Sequence, residues 1–297
     1  MELRHLRYFL AVADAGSLTE AAGRRLHTSQ PSLSRQIRDL EHEVGAELLT
    51  RSVRGVELTA AGNAFAEHAR LALMHADAAV ETARRAARPA RRAFAIGFLT
   101  GHEMTWLPRA MHVLRDELTS IEVTVSSDYS PDLADALARG RLDLAFLRVE
   151  PGYDLAYHEV DREPLIVLMP ASHRLTARES VRAHDLVGEI FIAGSNKATV
   201  LRAVTEDYLH RSGLDIKADH GVDNIAMAVS LVASTGGVAL MPDYASRLLP
   251  PSVVSRPLEG QPPTIEVAVG YSKSNASPVL KLFLSRLNEL AGPDEEH

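Results

Sequence analysis

The chain contains no cysteine, which excludes disulfide bonds and thiolate metal ligands and fits a reducing compartment. It also has no apolar run of about 18 residues, the length that a membrane-spanning helix requires. The first residues, MELRHLRYFLAVADAG, interleave charged and apolar side chains, so we expect no secretory signal. These absences predict a cytoplasmic protein with no membrane partner.

Catalytic and metal-binding signatures are missing too. No P-loop, G-x-S-x-G elbow or G-x-G-x-x-G turn occurs. The 13 histidines show neither HxxxH nor HExxH spacing. Six of them are scattered over different predicted elements: His102, His158, His173, His184, His210 and His220. We therefore expect no enzyme, no resident cofactor and no metal site.

Charge is unevenly distributed along the 297 residues, a length that predicts two or three domains. Residues 1–92 hold 14 arginines against 11 acidic residues, whereas the whole chain has a net charge of −7. A mildly basic N-terminal part on an acidic body fits nucleic-acid contact at one end. Residues 1–58 alone are neutral, so charge does not decide the function.

Residues 1–27 have the pattern of two helices. An apolar face that starts at Leu3 predicts a first helix, which Gly16 ends. Ser17 is the expected N-cap of the second helix, and Glu20 three residues later would complete a capping box.

A third helix is predicted after a turn at His27, with Thr28 or Ser29 as N-cap and Pro31 in the first turn. Its buried stripe has four apolar residues at helical spacing: Leu33, Ile37, Leu40 and Val44. The opposite side carries Pro31, Ser34, Arg35 and Arg38, and Gln30 lies at the leading end.

A helix with this outer face suits a DNA major groove, because glutamine reads adenine and arginine reads guanine or grips phosphate. Residues 48–59 predict a hairpin that turns at Arg54–Gly55. Arg51 and Arg54 would there reach flanking phosphates or a minor groove. Three-helix units with outward arginines also serve as protein-interaction modules, so the pattern alone leaves both functions open.

The stretch FLAVADAGSLTEAAGRRLHTSQPSLSRQIRDLEHEVGAELLTRSVRGVELTAAG resembles the winged helix-turn-helix of LysR-type transcriptional regulators over its whole length. The matching positions are Phe9, Val12, Gly16, Ser17, Ala21, Ala22, Ser29, Gln30, Pro31, Ser34, Gln36, Ile37, Leu40, Glu41, Gly45, Arg51, Leu58, Thr59 and Gly62. Leu49 replaces the family's wing phenylalanine, a swap that we expect to be tolerated. The resemblance implies sequence-specific binding of double-stranded DNA. The candidate DNA contacts are Ser29, Gln30, Pro31, Ser34, Arg35, Arg38, Arg51 and Arg54.

Residues 59–88 predict a long helix that is capped by Thr59 and stopped by Pro89. Its heptad-like stripe is rich in alanine: Phe65, Ala69, Ala72, Ala76, Val80 and Ala83. A surface helix packed on its own domain is one interpretation. The resemblance favours the other, an antiparallel helix pair that dimerises the protein. We interpret residues 89–92 as a solvated hinge.

From Phe94 the pattern alternates between strands and helices. FAIGFL, IEVTV and LDLAFL predict parallel strands, with a helix opened by Ser130–Pro131. A second unit has strands at LIVLMP, EIFIAG, IKADHGV and GVALMP and helices at 198–211 and 224–234. TIEVAVGYS and a helix over 277–290 would return to the first unit.

This body is similar to the two-lobed effector domain of the same family, which is itself similar to periplasmic solute-binding proteins. GRLDLAFLR and STGGVALMP stand at two family signatures, the second with a slight departure at its glycines. The expected fold is therefore α/β, with a winged helix-turn-helix (1–58), a linker helix (59–88), a hinge (89–92) and two effector lobes. Lobe I comprises 93–161 and 267–292, and lobe II comprises 162–266.

Ligands of such sheets lie beyond the carboxyl ends of strands, where helix N-termini favour anions. The candidate effector contacts are Thr100, Gly101, His102, Ser127, Asp128, Tyr129, Arg148, Ser195, Asn196, Lys197, Asp223 and Asn224. Thr100 and Ser195 would donate from hydroxyls, and Arg148 and Lys197 would balance an acid's charge. Helix capping explains the hydroxyls equally well.

The resemblance implies a bacterial regulator that binds roughly palindromic operators as a dimer of dimers, with RNA polymerase as a further candidate partner. A small effector, with an organic anion as the hypothesis, would shift the lobes. A solute-binding protein would share the body but not residues 1–88, and an enzyme would need a catalytic constellation. The sequence leaves open the effector's identity, the target genes and the direction of regulation.

Overall fold

The chain folds as two units, Met1–Ala87 and Arg88–His297, each with its own hydrophobic core. The computed structural model describes residues 1–52, 55–86, 92–194 and 197–290. In the first unit, the helices are α1 (Leu3–Ala15), α2 (Leu18–Glu20), which continues as a π-helical turn (Ala21–Arg25), and α3 (Gln30–Val44).

The predicted boundaries of the first three helices are confirmed. Gly16 and Gly45 end α1 and α3 in the left-handed conformation. Ser17 caps α2 by accepting the amide of Glu20 at 3.3 Å. The Glu20 carboxylate accepts from Arg24 and not from the Ser17 amide, so the predicted capping box is only half formed. His27 has a φ of 47° and makes the turn towards α3.

The wing consists of two antiparallel strands, β1 (Leu49–Ser52) and β2 (Gly55–Leu58). The two residues between them, Val53 and Arg54, lie outside the described residues. One Glu41 carboxylate oxygen accepts the amides of Leu48 (2.9 Å) and Leu49 (3.1 Å), which ties the start of the wing to α3.

The buried stripe of α3 differs from the predicted one at two positions. Val44 is 38 % exposed. Helical spacing places it on the buried face of α3, but it lies at the end of the helix, where the neighbouring elements do not cover it. Ser34, predicted on the outer side, is only 8 % exposed. It lies about 100° from Leu33 around the helix, at the border of the stripe, and its short side chain is covered by the packing there.

Helix α4 (Ala60–Ala86) is capped by Thr59, whose hydroxyl accepts the amide of Gly62 at 2.9 Å. It runs antiparallel to α1, because Arg70 pairs with Asp14 near one end and Asp77 pairs with Arg7 near the other. The ring of Phe65 meets that of Phe9 edge-on at 5.2 Å. The expected helix end at residue 88 lies outside the described residues.

The predicted stripe of α4 divides into a covered part and an uncovered part. Ala69 packs in the core of the first unit, whereas Ala72, Val80 and Ala83 are exposed. Val80 is 51 % exposed. The C-terminal half of α4 therefore carries an apolar stripe that its own unit leaves uncovered.

The second unit contains one long sheet flanked by helices. Its strands are β3 (Arg92–Leu99), β4 (Ile121–Asp128), β5 (Leu144–Leu147), β6 (Leu155–Pro170), β7 (Phe191–Gly194), β8 (His220–Val222), β9 (Val238–Pro242), β10 (Val253–Pro257) and β11 (Thr264–Ser272). Its α-helices are α5 (Glu103–Val113), α6 (Ser130–Ala138), α7 (Thr199–Arg211), α8 (Ile225–Thr235) and α9 (Pro278–Ser285).

Lobe I is built on the parallel order β4-β3-β5, as its alternating pattern predicts. Strand β11 pairs antiparallel with β5 and returns the chain to this lobe. The closing helix is shorter than predicted, because α9 ends at Ser285 and a 3-10 helix follows over Leu287–Leu290.

Strands β6 and β11 cross between the lobes. The first part of β6 pairs with β11, and its last residues pair with β9 and β10 of lobe II. The sequence pattern predicted only residues 165–170 of β6, but the strand begins at Leu155. The earlier residues are largely polar, so they lack an apolar strand pattern, yet their backbone pairs with β11. A register shift in β11 occurs between Val267 and Ala268.

Lobe II has the parallel order β9-β7-β8 with α7 and α8 as its helices. The predicted strand IKADHGV is reduced to β8 at its last three residues. Among the described residues, no helix is both long and apolar enough to cross a membrane.

Candidate functional site

The leading end of α3 presents the first group of candidate residues. The hydroxyl of Ser29 accepts the amide of Ser32 at 3.4 Å and so confirms Ser29 as the N-cap. Gln30 is half-buried and Pro31 is exposed at this end. The cap holds the first turn in place, so Gln30 and Pro31 stand on a fixed backbone.

The outer side of α3 carries two exposed arginines. Arg35 is 78 % exposed and its guanidinium lies 4.0 Å from Asp39, a contact that solvent weakens. Arg38 donates to the carbonyl of Ser34 at 3.3 Å. Ser34 itself is buried, so the structure does not bring its side chain to this outer side.

The wing arginines are only partly described. Arg51 lies in β1 opposite Val56, but its side chain lies outside the described part of the chain. Arg54 lies outside it entirely.

A cleft of about 630 Å³, including its open mouth, lies between the two lobes of the second unit. Four helices begin at its wall, because the lining includes His102 before α5, Ser130 of α6, Thr199 of α7 and Ile225 of α8. The unsatisfied amides of a helix N-terminus give a partial positive charge. The cleft wall therefore favours negatively charged groups.

A buried ionic cluster lies at one side of the cleft. Arg148 is 4 % exposed and donates to Glu163 at 2.8 Å. It also donates to the carbonyls of Ile265 (3.3 Å) and Glu266 (2.7 Å). Glu163 already matches the charge of Arg148, so Arg148 brings no unbalanced positive charge to the cleft. Its predicted contact with an effector stays a prediction. Burial alone would raise the pKa of Glu163, but its contacts with His102 and Arg148 lower that pKa overall.

His102 completes this cluster and is 1 % exposed. Its Nε2 lies 3.2 Å from a Glu163 oxygen and 3.1 Å from an Arg148 nitrogen, and the tautomer decides which contact is the hydrogen bond. Its Nδ1 is buried and has no hydrogen-bond partner among the described residues. Burial lowers the pKa of His102, and the positive charge of Arg148 lowers it further. The contact with Glu163 raises this pKa but does not cancel the effect of burial. The imidazole is therefore neutral at physiological pH.

Tyr244 of lobe II rests on lobe I. Its ring lies 3.9 Å from the ring of His102, and its hydroxyl lies 3.5 Å from the carbonyl of Thr100. Gly101 has a φ of 94°, and a Cβ there would approach the Tyr244 ring to 2.8 Å. Glycine at 101 is what lets the lobes meet this closely.

Glu150 is a buried carboxyl in the lining, separate from the ionic cluster. It is 7 % exposed, and both carboxyl oxygens lie 3.4 Å from the hydroxyl of Thr199 across the cleft. Burial raises the pKa of Glu150, and the contact with Thr199 offsets part of the effect.

The cleft collects seven of the predicted effector residues: Thr100, His102, Tyr129, Arg148, Lys197, Asp223 and Asn224. Three others have local contacts instead. The carboxylate of Asp128 accepts the amide of Tyr129, Ser127 donates to Thr100, and Gly101 lies under Tyr244. Ser195 and Asn196 lie outside the described residues.

Sequence reasoning missed three residues of the cleft lining, Glu150, Thr199 and Tyr244. It also missed Glu163, which pairs with the lining residue Arg148. Tyr244 follows the carboxyl end of β9 and was available to the strand-end rule. Glu163 lies within β6, where the sequence has no signal that separates it from surface carboxylates. Within the described ranges, no three His, Asp or Glu side chains are placed to hold a metal ion.

Two family profiles match the chain. "Bacterial regulatory helix-turn-helix protein, lysR family" matches residues 3–63, and "LysR substrate binding domain" matches residues 87–292. Among similar proteins, the Hca operon transcriptional activator HcaR of Escherichia coli is 35% identical over 292 residues, covering 97% of this chain and 98% of its own length. The transcriptional regulator AlsR of Bacillus subtilis is 33% identical and covers 96% of this chain and 94% of its own.

Solved structures with a similar fold include full-length regulators. Full-length BenM has a TM-score of 0.57 and 26% identity, and the alignment covers 98% of this chain and 96% of BenM. CbnR in complex with its target DNA has a TM-score of 0.57 and 25% identity, with 98% and 99% covered. These relatives are described as regulators of transcription, and none of those named here is described as an enzyme.

Proposed function

The chain belongs to the LysR family of DNA-binding transcriptional regulators, and we propose that a small organic anion bound between its lobes controls it. The regulator has a DNA-binding part and an effector-binding part. We infer that it acts in the cytoplasm, where its operator DNA would be.

One observation carries the anion proposal, namely that four helices begin at the cleft wall. Helix N-termini provide amide donors and a favourable potential for an anion without an unbalanced side-chain charge. Glu163 already matches the positive charge of Arg148, so this side chain gives the cleft no unbalanced charge. The helix N-termini are therefore the source of the potential that favours an anion.

The test is thermal unfolding of the full chain with matched ligand pairs at equal ionic strength. Butanoate, succinate and benzoate are compared with butanamide, succinamide and benzamide. At least one acid should raise the Tm while its amide does not. At a hundredfold excess over Kd, the bound acid should add about 2.7 kcal/mol to the free energy of unfolding. A Tm that no acid changes, or that acid and amide raise equally, contradicts an anion effector.

For DNA we propose that the first turn of α3 reads base edges and that its exposed arginines grip phosphates. The exposure of Pro31, Arg35 and Arg38 and the fixed N-cap support this assignment. A mobility-shift titration against the chain's own upstream DNA should give a salt-sensitive, sequence-dependent shift. Equal affinity for random DNA of the same length would overturn the assignment.

We also infer that two chains pair through α4 and that two such dimers associate on a roughly palindromic operator. The uncovered alanine-rich stripe of α4 supports the pairing, because small side chains let two helices approach closely. Two half-sites read together also multiply the specificity of one short recognition helix.

A further inference from the structure

Glu150 is a buried carboxyl with an unusual set of neighbours. It lies shortly after β5 on the lining of the cleft and is 7 % exposed. Its carboxyl oxygens both contact the Thr199 hydroxyl at 3.4 Å, and Tyr157 donates to its main-chain carbonyl, not to its side chain. Thr199 belongs to lobe II, so this contact also spans the cleft.

A hydrogen-bond count shows what form of the carboxyl fits there. An ionised carboxylate accepts up to about four hydrogen bonds, and a buried one normally has a cation beside it. The one hydroxyl of Thr199 supplies a single hydrogen. Among the described residues of the lining, the cations are Arg148 and Lys197. Arg148 pairs with Glu163, and Lys197 lies over the ring of Tyr129 at 5.4 Å.

A neutral carboxyl needs far less from its surroundings. It has one hydrogen to donate, and its remaining acceptor capacity is modest, so a single hydroxyl partner satisfies much of it. Burial without a compensating charge also favours the neutral form, which agrees with the raised pKa of the Glu150 carboxyl.

The first turn of α7 lies beside Glu150. The first intrahelical bond runs from the amide of Arg202 to the carbonyl of Ala198, so the preceding amides have no partner within the helix. In the described part of the chain, none of these amides donates to Glu150. An anion that entered here would meet those amides on one side and the carboxyl of Glu150 on the other.

We propose that Glu150 binds the effector as a neutral carboxyl and donates its hydrogen to the effector's carboxylate, so that each bound anion brings one proton with it. This inference rests on the proposed anion effector. Above the pKa of Glu150 the ligand-free carboxyl is ionised, so the proton comes from solvent when the anion binds and returns to solvent when it leaves. Below that pKa the carboxyl is already neutral, and binding exchanges no proton.

Other groups around Glu150 do not titrate in its place. The phenols of Tyr153 and Tyr157 face it, and burial raises both of their pKa values, so they stay neutral. The pKa of His102 is lowered and that of Glu163 is lowered. Among the described residues, the remaining charged side chains of the lining are Arg148, Lys197 and Asp223.

The test combines calorimetric titration with two variants of the full chain, Glu150→Gln and Asp223→Asn. Butanoate, succinate and benzoate are titrated in imidazole and in Tris, both at pH 8, where the ligand-free carboxyl is ionised, and the difference in heat gives the protons taken up. Wild type should take up as much as one proton per anion, and its affinity should fall about tenfold for each pH unit above the pKa of Glu150.

Glu150→Gln keeps a neutral donor but cannot titrate, so its uptake should vanish and its affinity should be flat with pH. Asp223→Asn removes a negative charge from the same cleft and should bind anions more tightly at every pH, with the uptake retained. Anion binding by wild type without proton uptake, or equal uptake by Glu150→Gln, overturns this inference and leaves the anion effector standing. If none of the anions binds, the proposed function fails and this inference fails with it.

A ligand-free measurement tests the neutral carboxyl separately. A folded-state pKa above the unfolded one means that wild type loses stability as pH rises through the folded pKa. Glu150→Gln should therefore have the higher Tm at pH 8, and the gap should close near pH 4. A Glu150→Gln variant that is no more stable than wild type at pH 8 would show that the site does not disfavour the ionised carboxyl, and would refute this premise.

Discussion

Gly62 lies at a close approach of two segments in the first unit. A Cβ at this position would lie 2.0 Å from the carbonyl oxygen of Leu48 and 3.0 Å from its carbon, and neither backbone atom can rotate away. We expect Gly62→Ala to lower the free energy of unfolding by about 1–3 kcal/mol, the usual cost of overpacking. Urea denaturation followed by circular dichroism measures it.

Gly23 is the matched control for this change. It also lies in a helical turn of the same unit, but a Cβ there meets no atom within 4 Å. Gly23→Ala should be neutral or stabilising by about 0.4–1 kcal/mol, because it reduces the freedom of the unfolded chain. A loss of stability equal to that of Gly62→Ala would contradict the packing argument.

Two residues of α3 should affect DNA binding in different ways. Arg35 is 78 % exposed on the outer side and contacts no base in our assignment, so Arg35→Ala should weaken all DNA sequences alike and reduce the salt slope. Gln30→Ala should cost about 1–3 kcal/mol on the preferred site and little elsewhere. Mobility shifts with operator variants at two salt concentrations measure both effects. The assigned roles are wrong if the two variants have the same profile.

At the scale of elements, α4 has two roles along its length. Its first half packs on α1, whereas Val80 in the second half is 51 % exposed. We expect Val80→Glu to shift the protein from dimer to monomer, because a buried carboxylate without a partner opposes helix pairing. Analytical ultracentrifugation over a concentration series measures the change.

His75 provides the control on the same helix. It is exposed and lies about 140° around the helix from Val80. His75→Glu should leave the association constant unchanged. Equal dissociation by both variants, or by neither, would contradict pairing through the Val80 stripe.

At the scale of the whole molecule, the two units have separate cores, and variants in one should spare the other. Glu163→Gln should destabilise only the second unit, because it leaves Arg148 buried without its carboxylate. Breaking a buried pair of this kind costs about 3–5 kcal/mol. Scanning calorimetry shows which unfolding transition shifts to lower temperature. The transition that Gly62→Ala shifts is assigned to the first unit, and Glu163→Gln should shift the other one.

The pH dependence of this variant follows from the lowered pKa of Glu163. Its contribution to stability is present above the unfolded carboxyl pKa, about 4.3, and is lost as pH falls below it. The gap between wild type and Glu163→Gln should therefore be full at pH 7 and shrink towards pH 3. A gap that does not change with pH would show that the ion pair is not its cause.

The sequence by itself determined the local structure of this protein. Glycine at 16 and 45, serine at 17 and 29 and the apolar spacing between them specify helix ends through short-range backbone chemistry. Alternating strands and helices likewise predicted the parallel sheet of lobe I and placed seven residues of the cleft lining, since strand ends meet at one edge.

Only the tertiary structure decided which charges are already matched. Arg148 looked available for an effector, but Glu163 binds it from a crossing strand 15 positions further along the chain. Ser34 was predicted on the outer side, but packing covers it, and the hydroxyl that contacts the Glu150 carboxyl comes from Thr199 of the opposite lobe, 49 positions away. Burial and pairing depend on groups that the chain brings together from a distance, and residue spacing carries no record of them.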